Sequence, residues 1–289
     1  MKLSLITLNY NNARSTIELL DSLRQQHDQD FGVVVVDNAS DDAVLLEQYY
    51  MLPRWNLILN RNNLGFSGGN NMGIQRALSQ GSDWILLINN DTHVEPDFIA
   101  RLKGQLENKR GIVGIPLEEG DRVAHGGCIT WLAHTLQHVY EPIKVSGKNY
   151  AIGAGLVISR EALETIGLLD ERYFLYFEDA DYSARALKKE VGISFLSEPS
   201  ITHHISQTTK KLGTPLLLRY HYRNMFLFNS LHAPWYIKGI LPIWAFLGII
   251  KQLIKLLILP EQRPESKAIF GGILDYFFRQ FGQIREHRS

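Results

Sequence analysis

Residues 32–37 read Gly-Val-Val-Val-Val-Asp, and this stretch decides the fold class. Four consecutive valines favour a β-strand, and because no polar residue alternates with them, both faces of the strand are expected to be buried. A strand covered on both faces is typical of a parallel sheet between two layers of helices. The run ends in Asp37, which would lie at the carboxyl edge of that sheet.

The segments around this strand alternate between strand and helix patterns. The predicted strands are Leu3–Leu8, Gly32–Asp37, Trp55–Leu59 and Asp83–Ile88, and the predicted helices are Arg14–His27, Asp42–Met51, Gly69–Ser79 and Glu95–Glu107. This βαβα order predicts an α/β fold with a doubly wound, mostly parallel sheet.

The middle of the chain is less regular, and the C-terminal part is helical. Further strands are predicted at Gly111–Pro116, Ala151–Ser159 and Gly192–Leu196, with a hairpin between the first two, and further helices at Ala180–Lys189 and Pro215–Leu231. The composition changes after Gly213, and Ile237–Leu259 is largely apolar. We therefore expect a main unit that ends near residue 210, followed by a helical appendage.

Charge and cysteine content exclude several classes of protein. The chain of 289 residues has 30 Lys+Arg and 30 Asp+Glu, so it lacks the basic field of a nucleic-acid-binding protein, and no nucleic-acid partner is expected. Its one cysteine, Cys128, excludes an intrachain disulfide and a multi-cysteine zinc site. The first apolar stretch is short and is interrupted by Ser4 and Thr7, so it indicates a buried strand rather than a signal peptide.

Polar residues follow the predicted strands, where ligands bind in doubly wound sheets. The first strand leads into Thr7-Leu8-Asn9, which is not the G-x-G-x-x-G of a dinucleotide-binding dehydrogenase. At the tip of the valine strand, Asp37 could accept a hydrogen bond from the imide N–H of uracil or thymine. A turn is the alternative for Asp37, because Asp side chains readily bond to their own backbone.

Two more segments fit a site for a diphosphate. Residues 63–73 (NLGFSGGNNMG) lie between a strand and a helix, where glycines let backbone amides approach a phosphate. A tight turn into the helix is the alternative. The fourth strand ends in Asn89-Asn90-Asp91, and a carboxylate there could bind a divalent cation. A helix cap or turn is the alternative for Asp91.

Together with three downstream segments, these motifs resemble the family 2 glycosyltransferases, most closely their bacterial rhamnosyltransferase-like branch. Residues 153–160 (GAGLVISR) look like the strand that lines the family's acceptor side. Residues 169–182 (LDERYFLYFEDADY) are similar to its acidic catalytic segment. His203-His204 lies where the family has a metal-binding histidine. The resemblance covers about residues 1–210.

The resemblance implies a GT-A-type fold and a division of the chain. Residues 1–210 would form the catalytic domain, with a nucleotide-sugar half over about 1–110 and an acceptor half over about 111–210. Residues 211–289 would form the C-terminal helical, membrane-associated region. A homo-oligomer stays open as an expectation.

The resemblance also implies roles for single residues. The nucleotide sugar would be bound by Thr7, Asn9, Asp37, Asn63, Gly68, Gly69 and Asn90. Asp91 and His203, with His204 as the alternative to His203, would hold Mg²⁺ or Mn²⁺. Asp179 would be the general base, with Glu178 beside it in the acceptor site. Many relatives have D-x-D where this chain has Asn89-Asn90-Asp91, so we expect modest metal affinity.

The implied reaction is an inverting sugar transfer to a hydroxyl of a growing, lipid-linked surface polysaccharide such as lipopolysaccharide. The favoured donor is dTDP-L-rhamnose, with UDP-hexoses as the alternative. A nucleotidylyltransferase is disfavoured, because residues 9–13 contain neither glycine nor a basic residue. An inactive membrane scaffold is disfavoured by the carboxylates of Asp37, Asp91 and Asp179.

On composition alone, the acidic segment, residues 169–182, could also be a solvated helix start.

The apolar segment Ile237–Leu259 has the length of a membrane-spanning helix, about 20 residues. Lys251, Gln252 and Lys255 lie inside it, and Pro242 would kink or end a helix. We therefore expect a helix that lies in the interface of the cell membrane's cytoplasmic face, with aromatic residues near the headgroups: Trp235, Tyr236 and Trp244. A helix buried against the catalytic domain or a dimer partner is the alternative.

Overall fold

The computed structural model describes residues 1–49, 52–131, 135–203 and 214–284. The strands in these ranges are β1 Leu3–Asn9, β2 Phe31–Asp37, β3 Trp55–Leu59, β4 Trp84–Ile88, β5 Thr92–His93, β6 Ile112–Gly114, β7 Leu117–Glu119, β8 Arg122–Ala124, β9 Gly126–Thr130, β10 Thr135–Val139, β11 Asn149–Tyr150, β12 Gly155–Ser159, β13 Ile193–Phe195 and β14 Ile201–His203. The helices are α1 Ala13–Arg24, α2 Ala43–Gln48, α3 Gly65–Ser79, α4 Phe98–Leu106, α5 Arg160–Ile166, α6 Glu178–Lys188, α7 Thr214–His232, α8 Trp235–Ile258 and α9 Arg263–Phe277, with a 3-10 turn at Pro260–Gln262.

The main sheet has seven strands in the order β13-β6-β12-β4-β1-β2-β3. Strand β12 is antiparallel to both of its neighbours, and the other neighbouring strands of this sheet pair in parallel. The predicted α/β class and the mostly parallel sheet are therefore confirmed. The direction of β12 was not predicted, because a strand's apolar pattern is the same in either direction.

The valine strand is buried on both faces, as predicted. Val33 and Val35 pack into a core with residues of α1 and α4, whereas Val34 and Val36 pack into a second core with residues of α3, α5 and α6. All four valines are at most 1% exposed. Helices therefore cover both faces of the sheet, which makes it doubly wound.

Several boundaries differ from the sequence-based expectation. Helix α3 begins at Gly65 rather than Gly69, because Gly65 turns the chain with a φ of +72° and starts the helix earlier. Helix α1 ends at Arg24 rather than His27. The predicted end of the second helix, Met51, lies outside the described residues. Strand β14 and helices α5 and α9 were not predicted.

Two smaller sheets lie mostly in the part of the chain that was expected to form the acceptor half. One has the order β10-β9-β11 and the other β5-β14-β7-β8. The pairs β7–β8 and β9–β10 are antiparallel, so the region predicted to hold a hairpin contains two in its described part. In the second sheet His203 pairs with Thr92. This pairing brings β14 next to the residues that follow β4.

Helices α7, α8 and α9 form the predicted C-terminal helical appendage. Arg219 of α7 donates two hydrogen bonds to Asp275 of α9, at 2.7 and 2.9 Å. A Cβ at Gly272 would lie only 2.5 Å from the Arg219 carbonyl oxygen, so glycine permits the close packing of α7 and α9. The expected domain boundary near 210 lies among residues 204–213, outside the described ranges, and the domain division stays a prediction.

Helix α8 is, within the described residues, the one that has the length and apolar composition to cross a membrane. Only 17% of the most apolar 18-residue stretch of this helix is buried inside the molecule.

Candidate active site

A cavity of about 420 Å³ opens at the carboxyl edge of the main sheet. Its floor comes from residues that follow β1, β2 and β4, which is where doubly wound sheets bind ligands. The rest of its lining includes residues 174–176, 178 and 179, His203 and residues of α7. The cavity therefore lies between the expected nucleotide-sugar half, the acceptor half and the C-terminal helices.

The cavity brings together a little over half of the predicted site residues. Those that line it are Asn63, Asn90, Asp91, Glu178, Asp179 and His203. Those that do not line it are Thr7, Asn9, Asp37, Gly68 and Gly69. The alternative metal ligand, His204, lies outside the described residues.

Asn9 and Asp37 belong to a buried network that joins the tips of three strands. The Asn9 amide donates to Asp37 Oδ1 at 2.7 Å and accepts from the Thr16 hydroxyl at 2.9 Å. The Asn90 amide in turn donates to the Thr16 hydroxyl at 2.9 Å. Asp37 Oδ2 accepts the backbone N–H of Ser40 at 3.0 Å. In this structure Asp37 thus holds a turn, and its contact with a nucleotide base stays a prediction.

Thr7 is 1% exposed, and its hydroxyl oxygen has no hydrogen-bond partner in the described part of the chain. A buried hydroxyl without a partner is uncommon in folded proteins. Because Thr7 does not line the cavity, its contact with the donor also stays a prediction.

The first two residues of α3 already use their backbone amides within the molecule. The N–H of Gly65 donates to Asn63 Oδ1 at 2.8 Å, and the N–H of Phe66 donates to the Phe174 carbonyl at 2.6 Å. A Cβ at Gly65 would lie 2.4 Å from the same carbonyl. Glycine at this position therefore lets the nucleotide-side loop approach the acidic segment closely.

Gly68 and Gly69 lie within α3. A Cβ at Gly69 would lie 2.4 Å from Leu8 Cδ1, and a Cβ at Gly68 would lie 2.9 Å from Leu64 Cβ. Their small size lets α3 pack on strand β1 and lets the helix begin tightly. A role for these two glycines in phosphate binding stays a prediction.

Asp91 and His203 form the candidate metal centre. His203 Nε2 lies 3.4 Å from Asp91 Oδ1, and both side chains are largely buried. Two ligands held at right angles by an ion with bonds of about 2.1 Å would lie roughly 3 Å apart, so this pair fits one cation. The described residues contain no cluster of three or more His, Cys, Asp or Glu side chains that could hold a metal. The remaining ligands would have to come from a diphosphate and water.

The environment of His203 favours positive charge. Burial lowers the pKa of His203, but the hydrogen bond and charge of Asp91 and the charge of Glu119 outweigh burial, so the net shift is upward. Negative side chains around an imidazole also favour a cation beside it. The electrostatics therefore agree with the geometry of the candidate metal centre.

The acidic segment starts helix α6. Burial and the neighbouring carboxyl of Asp179 raise the pKa of Glu178 to about 8, and Glu178 Oε2 has no hydrogen-bond partner among the described residues. Burial also raises the pKa of Asp179, but the backbone N–H groups of Gly153, at 2.9 Å, and Ala180, at 2.7 Å, act in the opposite direction. The two acids therefore differ in how well their charged forms are stabilised.

Sequence reasoning missed a second acid–histidine pair in the same cavity. His138 Nδ1 lies 3.0 Å from Glu119 Oε2, and the charge of His138 lowers the pKa of Asp179. These residues lie on β10 and β7, in a region without regular periodicity, so no local signal could have found them. Asn38 also lines the cavity and was missed, although it stands next to Asp37 at the strand tip, where polar residues were expected.

The fold is shared with known glycosyltransferases. A crystal structure of GalNAc-T7 with UDP, GalNAc and Mn²⁺ superimposes with a TM-score of 0.61 at 15% identity, over 77% of this chain. The chain spans about half of that protein's chain, 47%. The architecture is therefore of the GT-A type, as the sequence predicted.

Two curated relatives match most of the chain. The dTDP-rhamnosyl transferase RfbF of Shigella flexneri is 23% identical over 79% of this chain and 80% of its own length. The N-acetylglucosaminyl-diphospho-decaprenol L-rhamnosyltransferase of Mycobacterium tuberculosis is 21% identical over 81% of this chain and 86% of its own length. The family model for glycosyl transferase family 2 matches residues 4–167. The chain therefore belongs to glycosyl transferase family 2.

Proposed function

We propose that this glycosyltransferase is inverting and metal-dependent, and that it moves rhamnose from dTDP-rhamnose to a hydroxyl of a lipid-linked saccharide in surface polysaccharide synthesis. The observation that carries the proposal is that the Asp91–His203 pair and the Glu178–Asp179 pair line the same cavity. UDP-hexose donors are the second candidate, because Asp37 could pair with either uracil or thymine.

The names of two relatives support the donor and the acceptor. RfbF is named as a dTDP-rhamnosyl transferase. The mycobacterial relative is named for rhamnose transfer to a saccharide that is linked through diphosphate to decaprenol. Both relatives match about four-fifths of this chain, so their match extends past the nucleotide-binding half into the acceptor side.

Asp91 and His203 are the residues that would hold Mg²⁺ or Mn²⁺. The bound ion would act as a Lewis acid that stabilises the negative charge on the departing diphosphate. The GalNAc-T7 structure, which shares the fold, contains both UDP and Mn²⁺. At the tip of β4, Asp91 provides the carboxylate, and the two residues before it, Asn89 and Asn90, are neutral.

Asp179 is the residue that we assign as general base. Two backbone N–H groups favour its charged form, whereas the buried Glu178 beside it favours the neutral form. A single proton shared by this pair would therefore reside on Glu178, and Asp179 would be the carboxylate that accepts the proton of the acceptor hydroxyl. Neutral Glu178 could then donate a hydrogen bond to the acceptor.

A donor screen followed by product analysis tests the proposed reaction. The purified enzyme would be incubated with dTDP-rhamnose, UDP-glucose and UDP-N-acetylglucosamine, with a synthetic polyprenyl-diphosphate saccharide as acceptor. We expect transfer from dTDP-rhamnose, with an anomeric configuration in the product opposite to that of the donor when measured by NMR. Transfer from a UDP-sugar instead would contradict the donor, and retained configuration would contradict the single displacement.

We also propose that helix α8 places the enzyme on the cytoplasmic surface of the cell membrane. One face of α8 is buried against the appendage through Ile237, Leu241, Ala245 and Gln252. The opposite face exposes large apolar side chains at three- and four-residue spacing: Ile243, Phe246, Leu247, Ile250, Leu253, Ile254 and Leu257. Lys238 and Lys251 are exposed on the same helix and could contact anionic lipid headgroups.

A further inference from the structure

Residues 173–177, here called the strap, connect the turn at Asp170 to the catalytic acids. Three of its residues have left-handed backbone conformations without being glycine: Phe174, Tyr176 and Phe177, with φ of 59°, 72° and 74°. Such conformations are unfavourable for bulky residues and persist only where the surroundings hold them. The strap leads directly into Glu178, so whatever holds the strap also positions both acids.

Asn224 of helix α7 binds the strap from the C-terminal side. Its side chain is fully buried. Its amide nitrogen donates to the carbonyl oxygens of Tyr173 at 2.6 Å, Leu175 at 2.8 Å and Tyr176 at 3.1 Å. The two N–H groups of this amide thus lie among three backbone carbonyls of the strap, so at least one N–H is shared between two acceptors.

Arg223, the neighbour of Asn224, is also fully buried. Burial lowers its pKa to about 10, so the guanidinium is still charged at neutral pH. Its hydrogen-bond acceptors are Asn224 Oδ1 and the carbonyl oxygens of Arg172, Tyr173, Gln280 and Gly282. This guanidinium therefore joins the start of the strap to the residues after α9 and fixes the Asn224 side chain.

The strap has a second anchor on the nucleotide side. The Phe174 carbonyl accepts the N–H of Phe66 at the start of α3, and the Phe174 ring stacks on Tyr220 of α7 at 5.1 Å. Both rings line the active-site cavity beside Glu178 and Asp179. The strap is therefore held between the start of α3 and the C-terminal helices.

We propose that Arg223 and Asn224 are positioning residues that hold the strap, and through it Asp179, in the geometry needed for transfer. The proposal rests on the assigned role of Asp179 as base. It gives the C-terminal appendage a second task besides membrane contact, which is to set the shape of the catalytic centre. Displacement of a catalytic group by about 1 Å can reduce the rate on the order of 100-fold.

The test compares two variants of the full-length enzyme that weaken different contacts of the same helix. Asn224→Ala removes the three bonds to the strap. Asp275→Asn, the matched control, weakens the pairing of α9 with Arg219 and removes none of the groups that Arg223 and Asn224 use to bind the strap. We expect Asn224→Ala to lower kcat by roughly 10- to 100-fold with the KM for the donor changed less than about threefold. Asp275→Asn should lower Tm but leave kcat within about twofold.

A conservative variant and an activity-independent measurement complete the test. Arg223→Lys keeps the charge but loses the planar five-donor geometry, so its kcat should fall between those of the wild type and Asn224→Ala. Hydrogen exchange of the peptide covering residues 172–181 should accelerate in Asn224→Ala and stay at the wild-type rate in Asp275→Asn.

Two results would overturn the proposal: equal kcat losses in Asn224→Ala and Asp275→Asn at comparable Tm, or unchanged exchange of residues 172–181 in Asn224→Ala. If the wild-type enzyme transfers no sugar from any donor, the proposed function fails, and the exchange rates alone decide whether the strap is held as described.

Discussion

At the scale of single residues, Glu178 and Asp179 show how the backbone can separate two adjacent carboxyl groups. Both are removed from water, which favours their neutral forms. Asp179 recovers part of this cost through the N–H groups of Gly153 and Ala180, whereas Glu178 Oε2 lacks a partner in the described residues. When two neighbouring acids have different environments, their pKa values separate, and the proton resides on the acid whose charged form is less stabilised.

The role of Asp179 can be tested by removing its charge at constant shape. Asp179→Asn should lower kcat by at least about 100-fold and leave nucleotide binding nearly intact, because the amide cannot accept the acceptor's proton. Steady-state kinetics and calorimetric titration with the nucleotide diphosphate would measure both. Asp121→Asn, an exposed loop position, is the control. Near-normal turnover of Asp179→Asn would move the base to Glu178 or Asp181.

The buried carboxyl of Glu178 predicts a pH-dependent stability. Because its folded pKa is raised from 4.5 to about 8, the native state keeps a proton that the unfolded state releases between these values. Its contribution to the free energy of unfolding therefore decreases as pH rises from about 4.5 to 8. Gln cannot ionise, so Glu178→Gln lacks this pH-dependent decrease in the free energy of unfolding. The Tm of the variant minus the wild-type Tm should therefore be larger at pH 8 than at pH 5.

The size of that difference can be estimated and checked by calorimetry. One kcal/mol corresponds to roughly 2–4 °C in a domain of this size, so we expect the Tm gap to widen by several degrees. A gap that is the same at pH 5 and pH 8 would show that Glu178 is ionised in the folded enzyme.

The residues that the sequence could identify are those that follow a strand of recognisable pattern. Asp91 and Asp179 were found in this way, or through the family resemblance, and both line the cavity. Glu119 and His138 were missed because they lie on strands of two different sheets, and only the tertiary structure brings them together. Asp37 was expected to line the cavity, but the Asn9 amide holds its carboxylate in the hydrogen-bond network that joins the strand tips.

At the scale of elements, the alternation of strand and helix patterns, with the valine strand β2 apolar on both faces, sufficed to predict the doubly wound sheet. The start of α3 could not be predicted, because it depends on the contact of Gly65 with Phe174, more than a hundred residues away in sequence. Helix α9 was missed although Pro264 and Glu265 in its first turn are common at helix starts. A long-range contact, rather than local propensity, decides the start of α3.

The packing of α3 on the sheet gives a prediction that compares two helical glycines. Gly69→Ala places a methyl group 2.4 Å from Leu8 Cδ1, so it should destabilise the fold by about 1–3 kcal/mol. Gly104→Ala in α4 meets no atom within 4 Å and should stabilise it by about 0.5–1 kcal/mol. Urea unfolding would measure both values. Equal stability of the two variants would contradict the close contact of α3 with β1.

At the scale of the whole molecule, the exposed apolar face of α8 supports the proposed contact with a membrane. Phe246 is 62% exposed and Leu257 is 79% exposed, on the face that the molecule leaves uncovered. Contiguous apolar surface of this kind marks an interaction with a membrane or another protein. The lysines on the same helix favour a membrane that contains anionic lipid.

Sedimentation with vesicles tests the membrane proposal. The full-length enzyme should pellet with vesicles of phosphatidylglycerol and phosphatidylethanolamine, and the double variant Phe246→Glu, Leu257→Glu should stay in the supernatant. The control double variant Val44→Glu, Val145→Glu changes apolar residues of 49% and 51% exposure elsewhere and should still pellet. Wild-type enzyme that stays in the supernatant at low salt would point to a dimer partner as the cover for α8.

The central claim is that metal-dependent sugar transfer occurs in the cavity between Asp91, His203 and Asp179. The most direct measurement is the release of nucleotide diphosphate from dTDP-rhamnose in the presence of acceptor, with Mn²⁺ or with EDTA, for the wild type, Asp91→Ala, His203→Ala and His204→Ala. We predict release by the wild type only with metal, loss in Asp91→Ala, and a larger loss in His203→Ala than in His204→Ala. Undiminished release in EDTA, or by Asp91→Ala, would contradict the claim.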